Sequence, residues 1–421
     1  MINVRQLERN LLVVAGIIML NGVLAVSLAH GFINYQVLGA VVFIFAGFMM
    51  VNAVLSKVGH AGDPLFLPLA ALLVGLGLIT ILRLKPEVFM LQVIWISVGL
   101  GAFVVSVFLS RRIEQISYFK YLCGFIGVGL LLSAIVFGVD IGGNKNWIIM
   151  GPVRFQPSEF AKLFIVLFLA AYLSERRELL TLATKHYGPL VLPHPRFIAP
   201  LITVWGIGML MFILQRDMGA ALLYFSLAII MTYMVSGRFS YVIIGMILFL
   251  VGSVICYNFY SHIQTRVDIW LNPWTDPSGR AYQIVQSLFA LGSGGIIGSG
   301  LTYGFPTMIP EVHTDFIFAA IGEEMGLMGA GAVIILYILM IYRAFRASIL
   351  SLTPFSMMVA AGLAVSMALQ TFLIIAGVIK FFPLTGITLP FISYGGSSIV
   401  SNFILLGMLF SISEVRGYDA K

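Results

Sequence analysis

LLVVAGIIMLNGVLAVSLA, Leu11–Ala29, runs nineteen residues without a charged side chain. As a helix rising 1.5 Å per residue, such a run reaches roughly the 30 Å of a bilayer's hydrocarbon core. Its apolar part is too long for a barrel strand of about 9–11 residues, and in lipid each backbone amide must find its partner within the segment. The run therefore reads as a spanning helix. It carries no small-residue cleavage pattern, so it does not read as a cleaved signal. Working outward, the same reading yields twelve candidate spans: 10–30, 34–55, 65–84, 88–109, 118–138, 158–174, 197–214, 218–236, 240–259, 314–342, 355–379 and 394–413. The expected fold class is all-α, a polytopic membrane helix bundle of about twelve transmembrane helices with a long extracellular loop.

Composition agrees. Hydrophobic residues make up 60% of the 421 and charged residues 10%, far below the roughly 25% charged residues of an ordinary soluble domain. The net charge of +7 does not point to nucleic acid, because no basic run with interleaved aromatics lies outside the spans. Cys123 and Cys256 both lie in apolar runs and read as small core residues. With the N-terminus inside, 15 of the 24 Lys and Arg residues fall in inner segments, with Arg111-Arg112 and Arg176-Arg177 at helix ends. Positive residues favour the cytoplasmic side, so both termini are expected in the cytoplasm.

That topology sends three connections to the outer face: residues 139–157, 260–313 and 380–394. Long connections of mixed composition are more often functional than idle. The first ends in Arg154-Phe155-Gln156-Pro157-Ser158-Glu159, with Lys162 one turn further on. Pro157 suits the first turn of a helix, Glu159 complements its positive end, and Lys162 can pair with Glu159 at i+3. One reading is a salt-bridged helix start. The other is an anion site, most simply for a diphosphate, held by Arg154 and Lys162.

The second connection holds Asp276 among turn formers, in Asn272-Pro273-Trp274-Thr275-Asp276-Pro277-Ser278-Gly279. On local grounds Asp276 reads equally as a turn-capping aspartate or a held catalytic one. Further on, Gly292–Gly300 is glycine-rich but follows no strand, so a dinucleotide loop is excluded and a flexible re-entrant or loop role is expected. Glu323 and Glu324 stand in apolar sequence and require partners or a hydrated cavity. Pro383-Leu384-Thr385-Gly386 and Pro390 through Ser398 argue for broken backbone buried in protein.

Taken in order, these motifs resemble the SEDS family (shape, elongation, division and sporulation proteins of the RodA, FtsW and SpoVE kind). The resemblance covers about residues 65–415 and rests on Trp147, Phe155–Glu159 with Lys162, Gln215-Arg216-Asp217-Met218-Gly219, Asn272 through Gln283, His313–Phe318 and Leu389–Ser398. Family members typically have ten spans, so residues 1–64 are expected to be an added N-terminal helix pair. Residues 65–421 would then form the glycosyltransferase core, with an extracellular catalytic loop over 260–313. Two positions depart from the family pattern, Asn144 after Gly143 and Ile374 after Gln370.

The resemblance implies a peptidoglycan glycosyltransferase that polymerises lipid II and releases undecaprenyl diphosphate at the outer face of the bacterial cytoplasmic membrane, in elongation, division or sporulation. It places Asp276 on the essential loop aspartate of the family, and Arg154 and Lys162 on its cations. Gln156, Glu159, His313 and Ser393 join them as candidate substrate-binding residues from the matched motifs, with Arg266 and Arg280 as secondary candidates. A Mg²⁺ or Mn²⁺ ion is a candidate cofactor. A class B penicillin-binding protein, a single-pass transpeptidase, is the implied partner. The main rival is a lipid flippase or transporter. That rival would call for polar groups through the full membrane depth and internal repeats, neither of which the sequence displays.

Overall fold

The computed structural model describes residues 4–29, 31, 34–141, 144–151, 153–178, 184–187, 190–193, 206, 214–215 and 217–414. Ten helices among them are long and apolar enough to cross a membrane. The chain is a multi-pass helical membrane protein.

The helices are α1 (Val4–Ala29), α2 (Tyr35–Lys57), α3 (Phe66–Leu84), α4 (Phe89–Ser110) and α5 (Lys120–Phe137), then α6 (Pro157–Glu175). After them come α7 (Met218–Ser236), α8 (Phe239–Phe259), and two helices of the outer connection, α9 (Ser261–Leu271) and α10 (Tyr282–Gly294). The chain closes with α11 (Ile317–Ile349), α12 (Pro354–Val378) and α13 (Gly396–Ile412). The expected seventh span, 197–214, lies almost wholly outside the described residues. The twelfth, α13, is a shorter apolar helix of 17 residues.

Burial sorts the bundle. Helices α3, α6 and α12 are buried along most of their length, whereas α5, α8 and α11 present most of theirs to the surroundings. In lipid, apolar surface has no reason to hide, and helices associate through close packing and polar contacts instead. Small residues supply the close approach: a Cβ on Gly407 of α13 would strike Ser106 and Phe103 of α4. Ser106 adds a hydroxyl bond to the Ile404 carbonyl, 3.1 Å away.

Two of the outer connections carry regular structure that hydropathy does not register. Residues 139–157 hold a small antiparallel sheet, β1 (Val139–Ile141), β2 (Asn144–Met150) and β3 (Val153–Phe155), in the order β1-β2-β3. Arg154 stands opposite Ile149 in its register. A hairpin of β4 (Thr184–Tyr187) and β5 (Leu190–Pro193) lies in the connection after α6. The bundle remains helical, with these strands as additions. The stretch 260–313, expected as a loop, contains the helices α9 and α10.

The tenth span also differs from expectation. Helix α11 runs to Ile349 and is interrupted at Gly326, whose φ of 66° and ψ of −168° are not helical. Broken backbone leaves amides without partners, and in a membrane these must be met by protein. The glycine-rich segment meets them. Leu327 and Met328 donate to the carbonyls of Gly295 and Ile296, and Ser299 and Gly300 donate to those of Glu323 and Glu324, at 2.9–3.1 Å. A Cβ on Gly298 or Gly326 would collide with the opposing backbone. Gly292–Gly300 is therefore a stitched backbone seam, and the expectation of a flexible segment is corrected. The paired acids find partners beside it: Glu323 accepts from the Phe305 amide at 2.7 Å, and Glu324 pairs with Arg83 of α3 at 3.1 Å.

At the opposite end of the bundle, Arg5 of α1 pairs with Glu8 and donates to the carbonyls of His60 and Gly62, 3.0 and 2.9 Å away. Asn52 of α2 donates to Glu8, and the Arg5 guanidinium lies 4.9 Å from the Phe410 ring centre of α13. Asp63 pairs with Arg343 of α11. The first two helices are thus pinned to the rest of the bundle by buried polar contacts.

Candidate active site

The start of α6 builds the first part of the site. Pro157 occupies the first turn, where its missing amide hydrogen is no loss, and both Glu159 and Lys162 turn inward and are buried. Lys162 Nζ donates to Glu159 Oε2 at 2.6 Å, to Gln370 Oε1 at 2.9 Å and to Asn402 Oδ1 at 3.4 Å. Ser401 adds a hydroxyl bond to Glu159 Oε2 at 3.0 Å. An ammonium has three protons, and each has an acceptor here. The salt-bridged helix start is what the structure contains. Lys162 is a fully committed ammonium, not a bare cation.

Gln156 joins the same knot, its backbone N–H donating to Ser397 Oγ at 2.9 Å. Ser393 is committed as well, donating to the Thr314 carbonyl at 2.6 Å and accepting from the Leu389 amide at 3.0 Å. Ser393 thus pins the broken backbone of 383–395 to the start of α11. His313 is buried beside Tyr394, with ring centres 5.6 Å apart. Burial, with the nearby Lys85 charge, pushes its imidazole below the usual histidine range. At neutral pH it is uncharged and offers a hydrogen bond, not a cation.

Arg154, by contrast, is exposed on β3 and makes no hydrogen bond or ion pair among the described residues. Its charge is felt by Tyr394, whose hydroxyl burial pushes upward and Arg154 draws back down. Arg154 is the freest of the expected cations.

Asp276 sits half exposed after the short 3-10 turn Pro273–Thr275, which Asn272 caps through the Trp274 amide at 3.2 Å. Its Oδ2 accepts from the Arg280 amide at 3.0 Å and faces Arg280 Nε at 3.5 Å. A Cβ at Gly279 would run into the carboxylate. The Arg280 amide, followed by the Arg280 side chain and charge, holds the Asp276 carboxyl below the usual aspartate range. The turn-capping geometry is present, and it leaves an ionised carboxylate at the surface of the protein.

Between these groups lies a layer of which the sequence reading named only Arg266 as a candidate. Arg266 of α9 donates to the Leu384 carbonyl at 2.9 Å and is held electrostatically by Asp217 and Asp315. Asp217 caps α7 through the Ala220 amide at 3.0 Å and accepts from Asn146 Nδ2 at 2.8 Å. Burial lifts the Asp315 carboxyl to about 6, against the pull of Arg266. Tyr224 stands within electrostatic reach of both Glu159 and Asp217. The result is a polar track from Lys162 and Glu159, past Asp217 and Asp315, to Arg266 and then Arg280 and Asp276. No direct contact joins Asp276 to Arg154 or Lys162 among the described residues. A signal for the two missed aspartates existed: each is a charge at the mouth of an apolar span, the class of residue that defaults to function.

The chain thus belongs to the class of polytopic helical membrane proteins, with a polar track leading to a surface carboxylate. Within that class the chain is a member of the FtsW, RodA and SpoVE family, described as cell cycle proteins, whose pattern matches residues 65–418. It is 40% identical over 368 residues to the peptidoglycan glycosyltransferase RodA of Mycobacterium tuberculosis, covering 84% of this chain and 78% of that one. It is 35% identical over 302 residues to the probable peptidoglycan glycosyltransferase FtsW of a Geobacter species, strain M18, covering 70% and 78%. Among solved structures, a chain from work on the structural coordination of polymerization and crosslinking by a peptidoglycan synthase complex superposes with a TM-score of 0.68. That chain is 28% identical, with 85% of this chain and 99% of that one covered. The rod shape determining protein RodA of Thermus thermophilus shares the fold, with a TM-score of 0.62 at 24% identity over 85% and 99% of the two chains.

Proposed function

We infer that this protein is a peptidoglycan glycosyltransferase that extends glycan strands from lipid II at the outer face of the bacterial cytoplasmic membrane. The observation that carries the reading is the chain-long similarity to RodA and FtsW glycosyltransferases. The polar track at one end of the bundle, with Asp276 on its outer lobe, gives that activity a place. The same chain-long similarity favours this over the flippase reading.

In the proposed reaction the acceptor sugar hydroxyl attacks C1 of the donor glycan. Asp276 takes the hydroxyl proton, the new C–O bond forms, and the C1–O bond to the diphosphate breaks with its electron pair leaving on the diphosphate. A positioned base contributes roughly 10² to 10⁴ in rate. Arg280 holds Asp276 ionised but only weakly basic. Engagement of Arg280 by substrate would free the carboxylate to act. Charge growing on the leaving diphosphate is met by Arg154, with the Glu159–Lys162 knot fixing the helix end beneath it.

Among the described residues, no group of three or more His, Cys, Asp or Glu side chains is placed to hold a metal ion. A Mg²⁺ or Mn²⁺ ion at the site would therefore take its ligands chiefly from diphosphate oxygens and water, leaving Asp276 as the base. Such an ion would add positive charge beside the diphosphate. Both termini are assigned to the cytoplasm from the charge pattern. A class B penicillin-binding protein is the proposed partner, in keeping with the paired polymerization and crosslinking of the structural relative.

The test is polymer formation from lipid II by the purified protein in detergent, resolved by gel. Wild type is expected to make glycan strands. Asp276→Asn should make none while still binding lipid II, and Arg154→Ala should slow turnover. A wild-type protein that moves lipid II between leaflets but forms no polymer would refute the proposal.

A further inference from the structure

We propose that the cleft between α9, α10 and the segment following α12 is a diphosphate-binding subsite for the acceptor lipid, with Lys380 as its specifying residue. The inference rests on the glycosyltransferase reading and deepens it. The cleft has a volume of about 210 Å³ and is lined by Arg266, Arg280, Lys380, Trp270, Phe382 and His262, among others. Whole-ligand sites run to roughly 300–1,000 Å³, so this one takes a charged group and not an entire lipid-linked disaccharide. No acidic side chain lines it.

The three cations differ in what opposes them. Arg266 is balanced from behind by Asp217 and Asp315, and Arg280 by Asp276. Lys380 has no hydrogen-bonding or ionic partner for its ammonium among the described residues. It also stands where the backbone does not want it. With φ at 60°, Lys380 is in the left-handed region that follows a helix end, normally a glycine position. After α7 the chain does use glycine at the equivalent place, Gly237 with φ 65°. After α12 it keeps a lysine, at a cost of about 1 kcal/mol or more, and residues held in such conformations cluster at functional sites. The side chain, not the backbone, accounts for the lysine.

The chemistry selects the occupant. Both reactants in glycan extension are linked to lipid through a diphosphate, so two diphosphates must be held at once and apart. Arg154 serves the donor that leaves. The cleft adjoins Asp276 through Arg280, so it serves the lipid whose hydroxyl Asp276 deprotonates. Two guanidinium forks and an ammonium suit a diphosphate.

The decisive variant is Lys380→Gly, which removes the cation and relieves the backbone. In detergent it is expected to be at least as heat-stable as wild type. Its KM for lipid II should rise about tenfold with kcat changed by less than about twofold, the signature of a lost binding contact. Lys380→Arg should recover most of the loss. A wild-type KM in Lys380→Gly, with the wild-type enzyme active in the same assay, would overturn the subsite and leave the glycosyltransferase reading intact. So would a marked loss of stability in Lys380→Gly, which would make the lysine structural. Failure of the wild type to polymerise would count against the enzyme itself.

Discussion

Lys162 and Asp276 show how differently two ionised residues can serve one site. Lys162 is buried, with all its protons committed, and removing one partner of a buried pair leaves the other charge uncompensated. Lys162→Ala is therefore expected to cost about 3–5 kcal/mol of stability, seen as a large fall in the apparent melting temperature in detergent. Asp276 is half exposed, and Asp276→Asn should leave the apparent melting temperature close to that of wild type while abolishing polymer. Asp315 adds a pH signature. Its carboxyl titrates near 6 in the folded protein, above the ordinary aspartate range, so the folded state holds that proton more tightly than the unfolded one. Its ionisation consequently costs stability as pH rises through this window, fully above about 6 and not at all below the unfolded value. Asp315→Asn should compare more favourably with wild type at pH 7 than at pH 4. The pairing of Lys162 with Glu159 was legible from their spacing. Its other partners were not, because Gln370 and Asn402 lie more than two hundred residues along the chain.

At the scale of elements, apolar run length carried most of the reading. The spans from α1 to α6 and from α7 to α12 fall where uninterrupted apolar sequence puts them, since lipid enforces helix on any such run. The break in α11 was not legible from run length: hydropathy reads Gly326 as part of one continuous span, and only the facing glycine segment reveals why the helix can open there. The sheet at 139–155 was hidden too, because its strands are short and polar at one end. Gly326→Ala puts a Cβ against Ile296 and Gly298 in a left-handed conformation. It is expected to lower stability by at least about 1–3 kcal/mol and to raise hydrogen exchange along residues 295–300, measured by mass spectrometry.

For the whole molecule, orientation is the property that lipid composition and charge decide together. Trp274 lies on the outer lobe, and Tyr118 before α5 at the opposite end; both are exposed, whereas Cys123 and Cys256 are buried. Trp274→Cys should react with a membrane-impermeant maleimide on intact cells, and Tyr118→Cys only after permeabilisation. The reverse pattern would place the carboxylate in the cytosol and end the enzymatic proposal.

The anchoring of α1 and α2 has its own consequence. Because Arg5 supplies the hydrogen-bond donors for the His60 and Gly62 carbonyls and covers the Phe410 ring, cutting the chain back to the stretch it shares with its relatives would not yield a leaner catalyst. It would uncover the foot of the last helix, strip the cover from the Phe410 ring and leave Arg343 without the carboxylate of Asp63. Anyone shortening this protein for crystallography or screening should keep its first thirty residues, or replace the arginine's contacts before removing it.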